Sequence, residues 1–187
     1  MFPGAAPADA LALANSLADV GGIFWYLPDQ SIYTQYIDDM KAYSGRFTPK
    51  NPQKYKGDPT KIVYRSSWEL RVMGYLDNNP NVIQWASEEL AIPYKSPIDG
   101  KWHRYFPDFV VKMRDRDGKI TVKMLEVKPK AQSVPPTIKK GSTKPSKKYL
   151  KEVMTWGINS SKWEAAKEYC ADRNWQFVVL TEKELGL

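Results

Sequence analysis

The sequence predicts a mixed α/β domain built around one central sheet and preceded by an N-terminal helical arm. Three observations lead to this prediction. The chain has 187 residues, of which 42% are hydrophobic and 13% aromatic, and this is enough to form the core of one ordinary domain. From residue 61 onward, segments with helical periodicity alternate with segments of strand-like character. Charge divides the chain as well, because residues 1–40 contain five Asp and no Lys or Arg, whereas the whole chain has a net charge of +7.

The regular region begins with a strand over residues 61–65 and a helix that Ser66 or Ser67 caps. Asp117-Gly118 predicts a tight turn between two strands, because this pair favours the backbone conformation that a hairpin turn needs. The order helix, three or four strands, helix, strand is typical of a mixed α/β domain. In detail, the first helix runs to about Asn78, strands cover residues 82–86, 90–94, 102–114, 120–127 and 175–180, a helix with an interruption near Gly157 covers residues 146–173, and a short helix starts at Thr181.

Composition divides the chain into three parts. Residues 1–40 form an acidic arm, residues 41–60 form an extended basic segment rich in Pro, Gly and Lys, and residues 61–187 form the domain. Within the domain, prolines and like charges oppose regular structure in a basic loop over residues 129–146. A basic body predicts a polyanionic partner, most often nucleic acid, although a merely soluble basic protein is the alternative.

The arm contains two helical patterns, over residues 5–19 and 29–41. Between them Phe24, Trp25 and Tyr26 form an apolar cluster, and such a cluster on an arm usually docks against another surface. The sequence leaves open whether that surface belongs to the body of the same chain or to another subunit.

The composition also excludes several classes of protein. One cysteine, Cys170, and one histidine, His103, cannot form a disulfide framework or a Cys/His zinc cluster. No apolar run approaches the length of a membrane span, and no basic residue precedes the weakly apolar residues 11–17, as a secretory signal would require. We therefore expect a soluble intracellular protein in which any metal is held mostly by oxygen ligands. Cys170 follows a helical apolar pattern and is expected to be an inert core residue.

Three polar side chains are expected to meet at one end of the predicted hairpin. Successive side chains of a strand point to opposite faces, so Glu126 and Lys128 share one face, and the hairpin brings Asp108 beside them. Charged groups there are costly unless paired or coordinated, and the two carboxylates suit Mg²⁺ or Mn²⁺. Lys128 could stabilise developing negative charge or help to activate water. Glu69, in the first turn of the first helix, is the best candidate for a third carboxylate, although the helix dipole alone favours an acid there.

The sequence Pro107-Asp108 followed by Glu126-Val127-Lys128, with Glu69 upstream, resembles the motif of the PD-(D/E)xK nuclease superfamily. A wider resemblance, over roughly residues 42–180, is to the head-completion nucleases of T-even-type tailed phages, and more distantly to the nuclease subunit of Tn7-type transposases. It is carried by AYSGRFTPKNPQKYKGDPTKIVYRSSWELRVMGYL, IQWASEELAIPYKSPIDGKWHRYFPDF and LEVKPK. The resemblance implies a restriction-endonuclease-like core, with a central mixed sheet flanked by helices. It also implies a metal bound by Asp108 and Glu126, a catalytic Lys128 and an assisting Glu69.

The resemblance further implies a phage assembly protein with a Mg²⁺- or Mn²⁺-dependent DNA endonuclease core. Its substrate would be double-stranded DNA, packaged in the head or lying at the head–neck junction. It would work in the host cytoplasm or in the head–neck region of the virion, with portal or neck proteins as partners of the arm and several copies around the portal. Two alternatives remain: a non-catalytic structural component of the neck, and a nuclease subunit of a Tn7-type transposase.

Basic residues near the predicted site and in the basic loop are expected to contact DNA phosphates without reading sequence. Glu88 and Glu89 lie between strands and are expected to face solvent or to have structural roles, and His103 is equally well explained as a packed, hydrogen-bonded residue. The predicted DNA contacts are Arg65, His103, Arg104, Lys130, Lys139, Lys140, Lys144, Lys147 and Lys148. Six tryptophans have spacings that suit a core better than base stacking, namely Trp68, Trp85, Trp102, Trp156, Trp163 and Trp175.

Overall fold

The computed structural model describes residues 43–137 and 146–186. The helices predicted for the acidic arm lie outside the described residues. In chain order the elements are β1 (Gly45–Arg46), β2 (Val63–Tyr64), α1 (Ser67–Asn78), β3 (Val82–Ser87), β4 (Ile92–Lys95), β5 (Trp102–Tyr105), β6 (Phe109–Arg114), β7 (Ile120–Val127), α2 (Lys147–Ala171), β8 (Gln176–Leu180) and α3 (Glu182–Leu185), with 3-10 turns at Pro52–Lys54 and Lys130–Gln132.

A four-stranded sheet with the strand order β3-β6-β7-β8 forms the centre of the fold. β6 is antiparallel to both β3 and β7, whereas β8 is parallel to β7, so the sheet is mixed, as predicted. The turn at Asp117-Gly118 joins β6 to β7, and Gly118 has a φ of 77°, a left-handed conformation that favours glycine. The register pairs Phe109 with Leu125, which places the residues just beyond them side by side at the open end of the β6–β7 hairpin.

The prediction of one long strand over residues 102–114 is wrong. β5 pairs with β4 in a two-stranded ribbon of its own, whereas β6 joins the central sheet. The break falls at residues 106–108, where Pro107 has no N–H to donate to a ladder. The prediction of a single sheet is wrong as well, because the described residues form the central sheet, the β4–β5 ribbon and a short β1–β2 pair.

One hydrophobic core lies between the central sheet and the helices α1 and α3. The predicted extended segment contributes to it through Tyr55, whose buried ring packs edge-on against Trp85 with 4.8 Å between the ring centroids. Asp77, fully buried near the end of α1, accepts hydrogen bonds from the backbone N–H groups of Lys50 at 2.7 Å and Asn51 at 3.1 Å. The described part of this segment is therefore attached to the core at two points.

A second core lies on the opposite face of the sheet, under α2 and the β4–β5 ribbon. Tyr105 of the ribbon, Met124 of β7 and Trp163 of α2 meet there. Cys170 is buried in this core with its Sγ 3.9 Å from the Sδ of Met124, which agrees with its prediction as a core residue. The ribbon is therefore joined to the sheet through shared packing with α2 rather than through a strand ladder.

The helices begin at caps that the sequence indicates. The Ser66 hydroxyl accepts a hydrogen bond from the Glu69 N–H at the start of α1, and Thr181 with Glu184 forms a capping box at α3. α2 continues through Gly157, contrary to the predicted interruption, because a helix tolerates one glycine at a cost of about 1 kcal/mol. No helix within the described ranges has the length and apolar character of a membrane span.

The six tryptophans of the described residues occupy three kinds of environment. Trp85 and Trp163 are buried, in the first and the second core respectively. Trp102 is 71% exposed, so its prediction as a core residue is wrong. Its place on β5 explains the difference, because one side of a two-stranded ribbon faces away from the second core. The remaining three pack against the cores as partly buried residues: Trp68, Trp156 and Trp175.

Candidate active site

Asp108 and Glu126 lie side by side at the open end of the β6–β7 hairpin. Asp108 directly precedes β6, and its Oδ2 accepts a hydrogen bond from the backbone N–H of Val127 at 2.7 Å. On the β3 side, the N–H of Glu88 donates to the carbonyl oxygen of Asp108 at 3.3 Å. Lys128 follows the last residue of β7. The two inner strands of the sheet thus hold both acids and the lysine at one end.

The carboxyl group of Asp108 is strongly perturbed. Its pKa is raised from 3.8 to about 7, mainly by burial and then by the negative charge of Glu126. The charge of Lys128 and the hydrogen bond from Val127 lower the pKa but do not cancel the increase. A carboxyl group with such a pKa is typical of sites where charge acts on a ligand.

Glu126 is buried and is held from two sides. Its Oε2 accepts a hydrogen bond from the hydroxyl of Tyr105 at 2.6 Å, and its Oε1 lies 3.1 Å from the Nζ of Lys128. Burial lowers the pKa of Lys128, but the charges of Glu126 and Asp108 outweigh it and raise that pKa, so the ammonium group stays charged. Burial and the charge of Glu126 raise the pKa of Tyr105, so its hydroxyl remains a donor. The predicted set of Asp108, Glu126 and Lys128 is therefore brought together.

Glu69 takes part in the N-terminal cap of α1. Its Oε2 accepts a hydrogen bond from the Arg65 N–H at 2.8 Å, and its Oε1 accepts one from the Ser66 hydroxyl at 3.0 Å. Its charge contributes to the raised pKa of Asp108, so it acts on the site electrostatically. Within the described residues, however, no three His, Cys, Asp or Glu side chains form a group that could hold a metal. Glu69 is thus near the two carboxylates without completing a three-carboxylate site.

Arg65 forms a salt bridge with Glu88 beside the site. Its hydrogen bond and ion pair with Glu88 raise the pKa of Arg65, and the charges of Glu69 and Asp108 contribute in the same direction. Glu88 has a φ of 54°, an uncommon left-handed conformation for a residue other than glycine. Glu89 instead accepts a hydrogen bond from the hydroxyl of Tyr55 at 3.2 Å. These contacts agree with the structural roles expected for the two glutamates.

The other predicted DNA contacts within the described residues lie on β5, on the 3-10 turn after β7 and at the start of α2. His103 and Arg104 lie on β5 and are exposed, and the Nε2 of His103 is 2.9 Å from the Oδ2 of Asp99. Lys130 begins the 3-10 turn after β7, and the first turn of α2 carries the exposed Lys147 and Lys148. Six predicted contact residues lie outside the described residues, namely Lys139, Lys140 and Lys144 of the basic loop and Phe24, Trp25 and Tyr26 of the arm.

Sequence reasoning missed two residues next to the site. Tyr105 holds Glu126, but in the sequence it looks like one more core residue of an alternating strand. Lys162 lies on α2 with its Nζ 5.8 Å from the ring centroid of Tyr105 and 5.7 Å from that of Tyr94. No local signal marks this lysine, because the sequence predicts only the helix and not what the helix packs against.

The two carboxylates suit a divalent metal such as Mg²⁺ or Mn²⁺. Both offer hard oxygen ligands, and a bound cation would offset the burial and the charge of Glu126 that together raise the pKa of Asp108. Mg²⁺ commonly binds through one or two carboxylates and takes its remaining ligands from water and substrate phosphates. Asp108 and Glu126 are the residues that could supply the protein ligands of such an ion.

Comparison with known proteins identifies the family. The family model described as TnsA-like endonuclease N terminal matches residues 79–182, a range that includes Asp108, Glu126 and Lys128 and begins after Glu69. The head completion nuclease of Enterobacteria phage T4 is 43% identical over 145 residues, which cover 77% of this chain and 94% of that relative. Both matches confirm the resemblance drawn from the sequence. This chain belongs to the phage head completion nuclease family and contains a TnsA-like endonuclease domain.

Proposed function

We propose that this chain is a metal-dependent endonuclease that hydrolyses phosphodiester bonds of double-stranded DNA. The observation that supports this most strongly is the pair of carboxylates, Asp108 and Glu126, beside the charged Lys128 at the open end of the central hairpin. Bringing buried like charges together costs folding free energy. Such an arrangement is typical of sites whose charges act on a substrate rather than on the fold.

Each side chain has a distinct role in the proposed reaction. Asp108 and Glu126 would hold Mg²⁺ or Mn²⁺, which when bound supplies Lewis-acid activation of the scissile phosphate and of water. Lys128 stabilises the negative charge that develops on the phosphate oxygens. Tyr105 keeps the carboxylate of Glu126 in one orientation through its hydrogen bond. Glu69 assists through its negative charge and through the cap that fixes the start of α1.

DNA would lie along the basic residues around the site and bind mainly through its phosphates. Such binding has low sequence specificity and weakens as the salt concentration rises. The guanidinium of Arg65 is paired with Glu88 in the free protein, so an incoming phosphate would compete with that carboxylate. The full set of proposed contacts is Arg65, His103, Arg104, Lys130, Lys139, Lys140, Lys144, Lys147 and Lys148.

The name of the T4 relative supports a role in completing the phage head. We assign a restriction-endonuclease-like core to residues 61–187, acting on packaged DNA or at the head–neck junction during assembly in the host cytoplasm. The acidic arm over residues 1–40 would bind portal or neck proteins through Phe24, Trp25 and Tyr26, with several copies around the portal. Residues 41–60 would connect the arm to the core.

A cleavage assay on supercoiled and linear DNA tests this function, with Mg²⁺ or Mn²⁺ supplied and with EDTA as the metal-free control. Asp108→Ala removes one of the two carboxylates, so we expect cutting to fall by about 100-fold or more while DNA binding persists. Asp115→Ala, an acid at the other end of the same hairpin, is the matched control and is expected to cut at the wild-type rate. Cutting by Asp108→Ala at the wild-type rate would refute the assigned site.

A non-catalytic role in closing the head is the second candidate. It is favoured by the state of Glu126, because both of its oxygens are already engaged by Tyr105 and Lys128. This candidate predicts that the folded wild-type protein binds DNA but does not cut it with either metal. A transposase nuclease subunit would need a partner recombinase, and the match over 94% of the phage relative leads us to prefer the phage role.

A further inference from the structure

Two exposed aromatic rings lie on the outward side of β5 and just beyond its last residue. Side chains alternate along a strand, so the buried Tyr105 points into the second core while Trp102 and Arg104 point away from it. Phe106 follows directly after β5 and lies on the side of Arg104, whose guanidinium is over its ring. Trp102 is 71% exposed and Phe106 is 41% exposed. We call Trp102, Arg104 and Phe106 the aromatic face.

Basic side chains lie next to these aromatic rings. The guanidinium of Arg104 lies over the ring of Phe106, 5.8 Å from its centroid. Lys95 is the cross-strand partner of Trp102 in the β4–β5 register. Exposed rings interleaved with cations are the combination by which proteins bind single strands of nucleic acid, because every base has a face that can stack and every nucleotide has a phosphate.

The aromatic face leads directly into the candidate active site. Phe106 is followed by Pro107 and then by Asp108, and Tyr105 between the outward side chains donates its hydroxyl to Glu126. The strand spacing places Trp102 within about 20 Å of Asp108 along the chain. A strand of DNA whose phosphate lies at Asp108 therefore has its neighbouring nucleotides within reach of these rings.

The surroundings limit the side from which DNA can approach. A groove between β4 and α2, which Trp102 also lines, carries the acidic side chains of Glu164, Glu168 and Asp172 and would repel phosphates. The acid nearest the ribbon's turn, Asp99, is paired with His103. Charge thus favours a path along Arg104 and Phe106 toward Asp108.

We propose that the aromatic face binds unpaired nucleotides of the DNA substrate, with bases stacked on Trp102 and Phe106 and a phosphate on Arg104. In an intact duplex the internal bases are covered by their neighbours and only the outer faces of the two end pairs are open, so the face binds DNA with single-stranded nucleotides more tightly than a blunt duplex. The preferred substrate is therefore a duplex with an overhang or a frayed end. This inference rests on the proposed function only in taking DNA as the ligand.

Binding measurements on the full-length protein in EDTA test this without cleavage. A blunt duplex is compared with the same duplex bearing a short single-stranded overhang that contains 2-aminopurine, whose fluorescence falls when it stacks. We expect wild type to bind the overhang DNA more tightly and to quench the probe. Trp102→Ala is expected to weaken overhang binding by about 5- to 100-fold, to bring the ratio of the two affinities toward one, and to abolish the quenching.

Two further variants separate stacking from packing. Trp102→Phe keeps a ring and is expected to retain most of the preference. Ile120→Ala removes an apolar side chain of 48% exposure at the turn end of the hairpin, and it is expected to bind both DNAs as wild type does. Thermal unfolding of Trp102→Ala should match that of wild type, because removing an exposed side chain leaves no cavity.

Equal binding of the two DNAs by wild type, or an unchanged preference in Trp102→Ala, would overturn the inference. These outcomes are independent of the cleavage assay. If the protein cuts through Asp108 but shows no overhang preference, the nuclease function is supported and this inference is refuted. If the protein prefers overhangs through Trp102 but does not cut, this inference is supported and the proposed nuclease function is refuted.

Discussion

The two ends of the β6–β7 hairpin hold acidic residues in opposite environments. At the turn end, Asp115 accepts hydrogen bonds on one carboxylate oxygen from the N–H groups of Asp117 at 3.1 Å and Lys119 at 2.8 Å. At the open end, the half-buried Asp108 lies next to the buried Glu126, and the pKa of Asp108 rises to about 7. Both ends belong to the same two strands and both carry carboxylates. The difference between them therefore comes from burial and from neighbouring charge.

This difference separates acids that shape the fold from acids that act on a ligand. The carboxylate of Asp115 stabilises the turn, because it satisfies backbone donors that the turn leaves unpaired. The two carboxylates at the open end lower the stability of the fold unless a cation binds to them or one of them is protonated. A function carried by Asp108 and Glu126 therefore comes at a cost in stability that Asp115 does not impose.

Replacing Asp108 with Asn tests the electrostatic part of the comparison and has the largest expected effect. The pKa of Asp108 is about 7 in the folded protein and near 3.8 in the unfolded chain, so the folded state binds this proton more tightly. The free energy of unfolding of wild type therefore falls as pH rises through the window between these two values. Asn keeps an oxygen for the N–H of Val127 and removes the charge. We expect Asp108→Asn to be more stable than wild type by about 2 kcal/mol above neutral pH in EDTA, measured by urea denaturation.

The matched control for this prediction is Asp115→Asn. It should show no comparable gain in stability above neutral pH, because the carboxylate of Asp115 is held by the N–H groups of Asp117 and Lys119 and no buried acid lies beside it. If Asp108→Asn follows the wild-type profile, the two ends of the hairpin do not differ in electrostatic cost.

Tyr105→Phe tests whether the open end is held in place by the β4–β5 ribbon, and its expected effect is smaller. The variant removes only the hydroxyl that donates to Glu126 at 2.6 Å. Groups that orient a metal-binding carboxylate typically change metal affinity by about 10- to 100-fold. We expect the Mg²⁺ concentration for half-maximal cleavage to rise by about 10-fold, while the rate at saturating Mg²⁺ recovers.

Tyr94→Phe is the control for Tyr105→Phe, because it removes a hydroxyl from the same core but not from Glu126. Its cleavage should keep the wild-type dependence on Mg²⁺. Equal shifts in the two variants would show that the effect comes from packing in the second core, and Tyr105 would then have no positioning role.

Much of the open end could be predicted because local rules determine it. Ser66 caps α1, and Asp117-Gly118 closes a hairpin of fixed register, so Asp108 must lie across from Glu126. The side-chain alternation of a strand then puts Lys128 on the side of Glu126. These steps use only neighbours in the sequence and the geometry of one turn.

The parts that could not be predicted depend on contacts between distant segments. The contact of Tyr105 with Glu126 exists because the chain leaves its ladder at Pro107 and β5 pairs with β4 instead. The same departure exposes Trp102, whose alternating pattern fits a buried and an exposed strand face equally well. Tyr55 lies in a stretch rich in Pro and Lys that has no periodicity to indicate its burial. In each case packing, not local pattern, decides the environment.

Asp115→Ala tests the turn end and has the smallest expected effect. Removing the carboxylate leaves the N–H groups of Asp117 and Lys119 without their protein acceptor, although both are open to water. The free energy of unfolding should therefore fall by about 1 kcal/mol, measured by urea denaturation at neutral pH. Asp115→Asn keeps an acceptor oxygen, so its free energy of unfolding should fall by less.

The cleavage rate of Asp115→Ala at saturating Mg²⁺ should equal that of wild type, because the turn lies about 20 Å from the open end of the hairpin. A variant that folds but loses cleavage would mean that the turn end also contacts the substrate, and the hairpin would then carry function at both ends.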